Sequence, residues 1–366
     1  MVKKIIVLAT TAKEAGALSI LKDFIQGLDE KYFYDILISP NVIDILPKKI
    51  NINYIYLNTS SWKKRIFFDL YKYPCIDESK YSLCVNFQNI PIRTNIKQIV
   101  YYHQAIPFSN INFSPLKKDT RKLWLYKNFY LLFFKINIKH LDYLIVQAEW
   151  LKESIIKKLN FPRKNIFIIK PKVNINPNKN FTIVNNTLKN KDFNILFYPA
   201  YGHEYKNHKI IIDSIKEIGI KYLEKNNVRI VFTIEENHKL AQEIKKTSLN
   251  KYFIFTGKIS REKVFYYYRL AKIVLFPSVL ETYGLPLKEA LVLNKNIIVS
   301  RLPYAEEVLS NYNKAIFCNP YNRIDWISNI KKLLENKEIN FYNREQEEVN
   351  SNNNEFLSLI KKLIKE

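Results

Sequence analysis

At 366 residues the chain is longer than one hydrophobic core usually fills, so its length predicts two domains with a ligand site in the cleft between them. Apolar and aromatic residues make up 47% of it, enough for globular cores, yet the longest apolar run, residues 129–134, falls far short of the ~20 residues of a membrane-spanning helix. The formal charge of +24 raises a nucleic-acid-binding class, but the lysines are dispersed rather than clustered; this speaks against that class and leaves contact with nucleotide phosphates or anionic lipid.

From the amino terminus, Met1-Val-Lys-Lys4 could open a signal peptide, but Thr10, Thr11, Lys13 and Glu14 interrupt the apolar run too early. Residues 4–9 therefore read as a buried strand. Further strands are predicted at 34–38, 54–57, 82–87, 98–102 and 143–147, with helices at 16–28, 61–71 and 150–159. The polar, Asn-rich stretch 172–192 reads as a linker. The alternation then restarts, with strands at 194–198, 229–233, 252–256, 273–276, 296–300 and 315–317. Strands alternating with helices imply parallel sheets covered by helices, so the expected fold is α/β, two Rossmann-like doubly wound domains. The expected boundaries are 1–175 and 176–345, with a helix in 346–366 that packs back on a domain, the first being favoured. Cys75, Cys84 and Cys318 form no CxxC pair and have no metal-ligand spacing, which predicts a reducing, cytoplasmic setting and no metal.

Ligands of open parallel sheets collect outside the carboxyl ends of the strands. Of only six glycines, Gly16, Gly202, Gly257 and Gly284 lie at or near such ends. The most informative window is Glu281-Thr-Tyr-Gly-Leu-Pro-Leu-Lys-Glu289, directly after a strand. Gly284-Leu285-Pro286 starts a helix whose first N–H groups and dipole can hold a diphosphate. Glu281 can then reach a sugar beside the phosphates, and Glu289 can accept hydrogen bonds from ribose hydroxyls. Two glutamates taken at random would be solvated surface residues; the strand, turn and helix around these favour a ligand role. His203 and His208 are five apart across a loop, not four apart on one helical face, so a zinc protease is not expected. Residues 121–139 interleave Arg121, Lys122, Lys127, Lys135 and Lys139 with aromatic side chains. Such a helix can lie at a membrane surface, or can be a core face with snorkelling lysines.

These residues resemble the retaining nucleotide-sugar glycosyltransferases of family 4, also called group 1, which have the two-Rossmann-domain fold termed GT-B. The likeness is strongest over residues 252–320, in Thr256-Gly257, Pro277-Ser278, the Glu281–Glu289 window with Tyr283, Gly284 and Leu285, and Pro303-Tyr-Ala-Glu-Glu307-Val. Thr282 stands where the family usually has Gly. By this resemblance Lys206, in Tyr198-Pro-Ala-Tyr-Gly-His-Glu-Tyr-Lys206-Asn-His208, neutralises the departing diphosphate, while Tyr201 replaces the partner Arg, leaving Lys209 or His203 to compensate. His103, in Tyr101-Tyr-His103-Gln-Ala-Ile-Pro-Phe108, resembles the histidine that faces the donor sugar, in a form similar to a bacterial surface-polysaccharide branch. Gly16 resembles the first-loop glycine near the donor phosphate and acceptor. Gln88, Gln104 and Gln147 are candidate acceptor-side residues.

The resemblance implies a retaining, metal-independent hexosyltransferase without a cofactor, with Glu281, His103 and Lys206 as catalytic residues. Its donor would be a nucleoside-diphosphate sugar and its acceptor a glycan, lipid-linked, in O-antigen or capsule assembly. The expected location is cytoplasmic, with peripheral contact at the inner face of the plasma membrane. The rivals are a nucleotide-sugar epimerase of the same architecture, a glycoside hydrolase whose carboxylates would face each other across the sugar, and a basic nucleic-acid-binding protein.

Overall fold

The computed structural model describes residues 4–13, 15–59, 62–71, 73, 76–173, 192–335 and 353–365. The chain divides into two compact units, Met1–Lys172 with Glu347–Glu366, and Val173–Gln346. Most of the expected linker, and Cys75, lie outside the described residues.

The first unit runs β1 (Lys4–Leu8), α1 (Ala15–Gln26), β2 (Phe33–Ile38), β3 (Ile52–Tyr56), α2 (Trp62–Leu70), β4 (Leu83–Asn86), β5 (Gln98–Tyr101), α3 (Arg121–Ile136), β6 (Tyr143–Val146), α4 (Glu149–Leu159) and β7 (Ile166–Ile168). All neighbouring strands pair parallel in the order β3-β2-β1-β4-β5-β6-β7. Helices cover both faces of such a sheet, so its strands read as continuous apolar runs; Ile5, Ile6, Val7 and Leu8 are all fully buried. The order reverses between β1 and β4, which makes their carboxyl ends the crevice of this unit. The sequence did not predict β7. Its three residues are too few to show a period, and it exists through pairing of Ile166 with Leu144 on β6.

The second unit runs β8 (Asn194–Tyr198), α5 (His208–Ile218), α6 (Ile220–Lys225), β9 (Val228–Phe232), α7 (Lys239–Lys245), β10 (Phe253–Phe255), α8 (Arg261–Leu270), β11 (Ala271–Phe276), α9 (Leu285–Val292), β12 (Asn296–Ser300), α10 (Pro303–Val308), β13 (Ala315–Cys318) and α11 (Arg323–Glu335). Its six strands are parallel in the order β10-β9-β8-β11-β12-β13. Here the reversal falls between β8 and β11, the two strands that lead into Lys206 and Glu281.

The last helix, α12 (Asn353–Lys365), belongs to the first unit. Phe356, Leu359, Ile360, Leu363 and Ile364 recur at helical spacing and are buried in the core that includes Ile20, Phe24 and Phe87. The Phe356 ring lies 4.9 Å from Phe24 and 5.9 Å from Tyr101, and Lys361 pairs with Asp29 at 2.8 Å. Each buried side chain contributes roughly 1.5–3 kcal/mol before the entropy of ordering the helix is subtracted. Among the described residues, no helix is long and apolar enough to cross a membrane.

Candidate functional site

In the second unit, the chain leaves β8 through a loop and a single 3₁₀ turn, Glu204–Lys206, and then reverses at Asn207 in the left-handed region (φ 56°) before α5 begins at His208. Asparagine tolerates that conformation, and its side chain donates to the Pro320 carbonyl at 2.9 Å. The Tyr198 hydroxyl donates to the Lys206 carbonyl at 2.8 Å, and the Val279 N–H donates to the Tyr205 carbonyl at 2.8 Å. The first bond holds the loop after β8 to its own strand, and the second ties that loop to the loop after β11. The Lys206 ammonium consequently meets Glu281, its Nζ 2.5 Å from Oε1, with side-chain exposures of 16% and 13%.

His208 is a buried helix-start residue. Its ring packs 4.6 Å from Tyr198 and 5.0 Å from Phe232, and burial, with Lys206 and His238 nearby, pushes its pKa down to about 3. The ring is therefore neutral at physiological pH. Among the described residues, no group of three or more His, Cys, Asp or Glu is placed to hold a metal ion.

On the β11 side, Tyr304 donates to the Ser278 carbonyl at 2.7 Å and fixes the Pro277-Ser278 corner. Gly284 then caps α9 in the left-handed region (φ 83°), and its carbonyl accepts from Leu287 N–H at 2.8 Å. Pro286 occupies the first turn, where its missing N–H costs nothing. A Cβ on Gly284 would find room, 3.5 Å from Leu287 and from the Tyr304 ring. The cost of Gly284→Ala is thus the backbone conformation alone, and a loss of about 1–2 kcal/mol is expected from the urea midpoint, with an unchanged slope. Gly257 (φ 64°) is tighter, since a Cβ would lie 2.6 Å from Glu235 Oε2. Tyr283 is buried, whereas Leu285 is half-buried at the helix start.

Glu289, one turn into α9, is 1% exposed and pairs with Arg261 at the start of α8, Nη1 to Oε1 2.5 Å. Burial pushes its carboxyl above the usual range, with Arg261 pulling the other way. The guanidinium remains 55% exposed and lies over the Phe265 ring.

In the first unit His103 follows β5, its N–H donating to Asn89 Oδ1 at 2.6 Å and its Nε2 lying 3.3 Å from Asn89 Nδ2. Asn89 itself turns with φ 63° just beyond β4. Gln88 is fully buried and donates to Thr10 Oγ1 at 2.9 Å, and Gln147 donates to the Tyr101 hydroxyl at 3.2 Å. Both side chains brace strand ends. Gln104 accepts from the Ile106 N–H at 3.2 Å within its own turn. Gly16 stands in the first turn of α1 instead of the preceding loop, because the helix already starts at Ala15.

Residues 179–353 match the model of the family described as glycosyl transferases group 1. This match takes in most of the second unit and just under half of the chain. It is 24% identical over 308 residues to the O-antigen chain mannosyltransferase RfbU of Salmonella typhimurium, covering 83% of this chain and 78% of the relative. Its fold is similar to that of sucrose-phosphate synthase from Thermosynechococcus elongatus (TM-score 0.67, 12% identity, 91% of this chain and 90% of that one). It is also similar to HepE of Anabaena, solved with UDP and glucose (TM-score 0.63, 12% identity, 91% and 90%). The two doubly wound units are those of the GT-B fold.

One contact residue of the second unit, Arg261, has no signal in the sequence. Arg261 is an unremarked cation behind the N-cap Ser260, which accepts from Lys263 N–H, and only the fold brings it to Glu289. Asn89 falls in the strand-end stretch 85–89 that includes the candidate Gln88, and only the fold brings it to His103, fourteen residues on and just beyond the neighbouring strand. Of the two suggested substitutes for the absent arginine, Lys209 is 72% exposed and pairs along α5 with Asp213 at 3.0 Å. His203 is exposed and its ring stacks on Tyr205.

Proposed function

We propose that this chain is a glycosyltransferase that moves a hexosyl unit from a nucleoside-diphosphate sugar to a hydroxyl of a lipid-linked glycan in bacterial surface-polysaccharide assembly. Transfer proceeds with retention at the anomeric carbon and without a metal, on the inner face of the membrane. The observation that carries the reading is the Lys206–Glu281 contact at the strand-order reversal, in the same loops as the Gly284 cap of α9. Such a place suits an anionic diphosphate.

In this mechanism the bond from the anomeric carbon to the diphosphate breaks and a bond to the acceptor oxygen forms on the same face. The acceptor proton passes to the departing phosphate oxygen. Lys206 and the amino terminus of α9, with Tyr283, Gly284 and Leu285, stabilise the charge on the leaving group. Glu281 and His103 act on the sugar, Glu289 accepts from the ribose, and Gly257 and Gly16 line the nucleotide-sugar path. Gln88, Gln104 and Gln147 are assigned to the acceptor side, the first and last as supports. RfbU, named for O-antigen mannosyl transfer, supports the polysaccharide assignment, and HepE with UDP and glucose supports the donor class.

The test is a thermal-shift screen of nucleoside diphosphates and their sugars, followed by NMR of the product. One base is expected to raise Tm; at a hundredfold excess over Kd the gain is about 2.7 kcal/mol, or several degrees. The product should keep the donor's anomeric configuration. Inversion, epimerised donor in the absence of acceptor, or no shift with any base would overturn the proposal.

A further inference from the structure

Helix α3 carries two faces. Tyr130 and Phe134 are buried in the core of the first unit with Leu144, Leu151 and Ile155, while Leu125, Phe129, Leu132 and Ile136 are 44%, 42%, 54% and 55% exposed. At about 100° per residue these four fall within an arc of roughly 60°. Lys122 borders the arc on one side, and Asn128 and Lys135 border it on the other. All three are exposed. From Arg121 to Ile136 the helix has four basic residues and no carboxylate. Just ahead of it Leu116 is 94% exposed beside the exposed Lys117 and Lys118.

An apolar stripe with basic borders fits few partners. A second copy would set lysine borders against identical lysine borders, and like charges facing each other disfavour that pairing. An anionic bilayer satisfies both parts, since its headgroups meet the lysines and its acyl boundary receives Leu125, Phe129, Leu132 and Ile136. We propose that this face of α3 is a docking surface for anionic phospholipid, with the helix lying in the plane of the interface. The inference sharpens the membrane assignment to specific side chains. It does not depend on the donor site, because vesicle binding is read without nucleotide.

Flotation of the full chain with vesicles of phosphatidylglycerol and phosphatidylcholine, against vesicles of phosphatidylcholine alone, tests it. The wild type should float with the anionic vesicles and lose that binding as salt rises. Phe129→Glu with Leu132→Glu should weaken the partition by about tenfold or more. Lys122→Glu with Lys135→Glu should abolish the preference for anionic lipid. Both variants should keep the wild-type Tm, since the altered positions are exposed. Failure of the wild type to bind anionic vesicles would overturn the proposal, as would unchanged binding by either variant. So would a concentration-dependent dimer that the Phe129/Leu132 variant dissociates without changing vesicle binding.

Discussion

Lys206→Ala is expected to lower the rate of sugar transfer by about 10²–10³-fold, the loss typical of removing one fixed group that stabilises developing negative charge. The same substitution should cost stability, for a reason visible without donor. Lys206 and Glu281 neutralise each other in a place where each side chain is less than a fifth exposed. Removing one partner leaves the other charge poorly solvated, at a cost of about 1–3 kcal/mol. Glu281→Ala should therefore destabilise to a similar extent, and the double variant should recover part of the loss because no charge is left unpaired. Activity should behave differently, with all three variants inactive to within tenfold of one another. Urea denaturation and single-turnover transfer separate the two effects. Wild-type turnover in either single variant would remove the pair from the mechanism.

Glu289→Gln is expected to weaken donor binding by about 10–100-fold, the equivalent of a charged hydrogen bond worth about 1.5–3 kcal/mol. It should do so without loss of stability. Burial raises the Glu289 pKa above its ordinary value of 4.5. Folding therefore favours the protonated form, and this contribution is present below the unfolded value and lost as pH rises through the folded one. The ionised carboxylate, buried here, is a liability that Arg261 offsets in part. Glutamine removes the liability, and Arg261 is exposed enough to lose its partner at little cost. The variant should be at least as stable as wild type at pH 7, with the difference shrinking toward pH 4. A less stable variant with unimpaired donor KM would show a structural carboxylate instead.

The contrast between these residues shows what could be read before the fold was seen. Strands such as 4–8 and 273–276 announce themselves, because parallel strands covered on both faces need unbroken apolar runs. The Gly284 turn was equally legible, since a glycine and a proline between a strand and a helix leave few backbone alternatives. The short β7 was not, because an edge strand of three residues owes its existence to its neighbour.

The amino-acid sequence by itself determined the two doubly wound units and the kinds of group at their strand ends, because period and turn chemistry are local properties. Only the tertiary structure decided which groups meet. Lys206 and Glu281 lie 75 residues apart, and Arg261 and Glu289 lie on different helices. The same holds for α3, where one helix carries both a core face and an exposed one, and burial in the core of the first unit assigns Tyr130 and Phe134 to the first and leaves Phe129 on the second. Contact and solvation are set by packing, so a charge pair or an uncovered apolar stripe has no signature in a chain read one segment at a time.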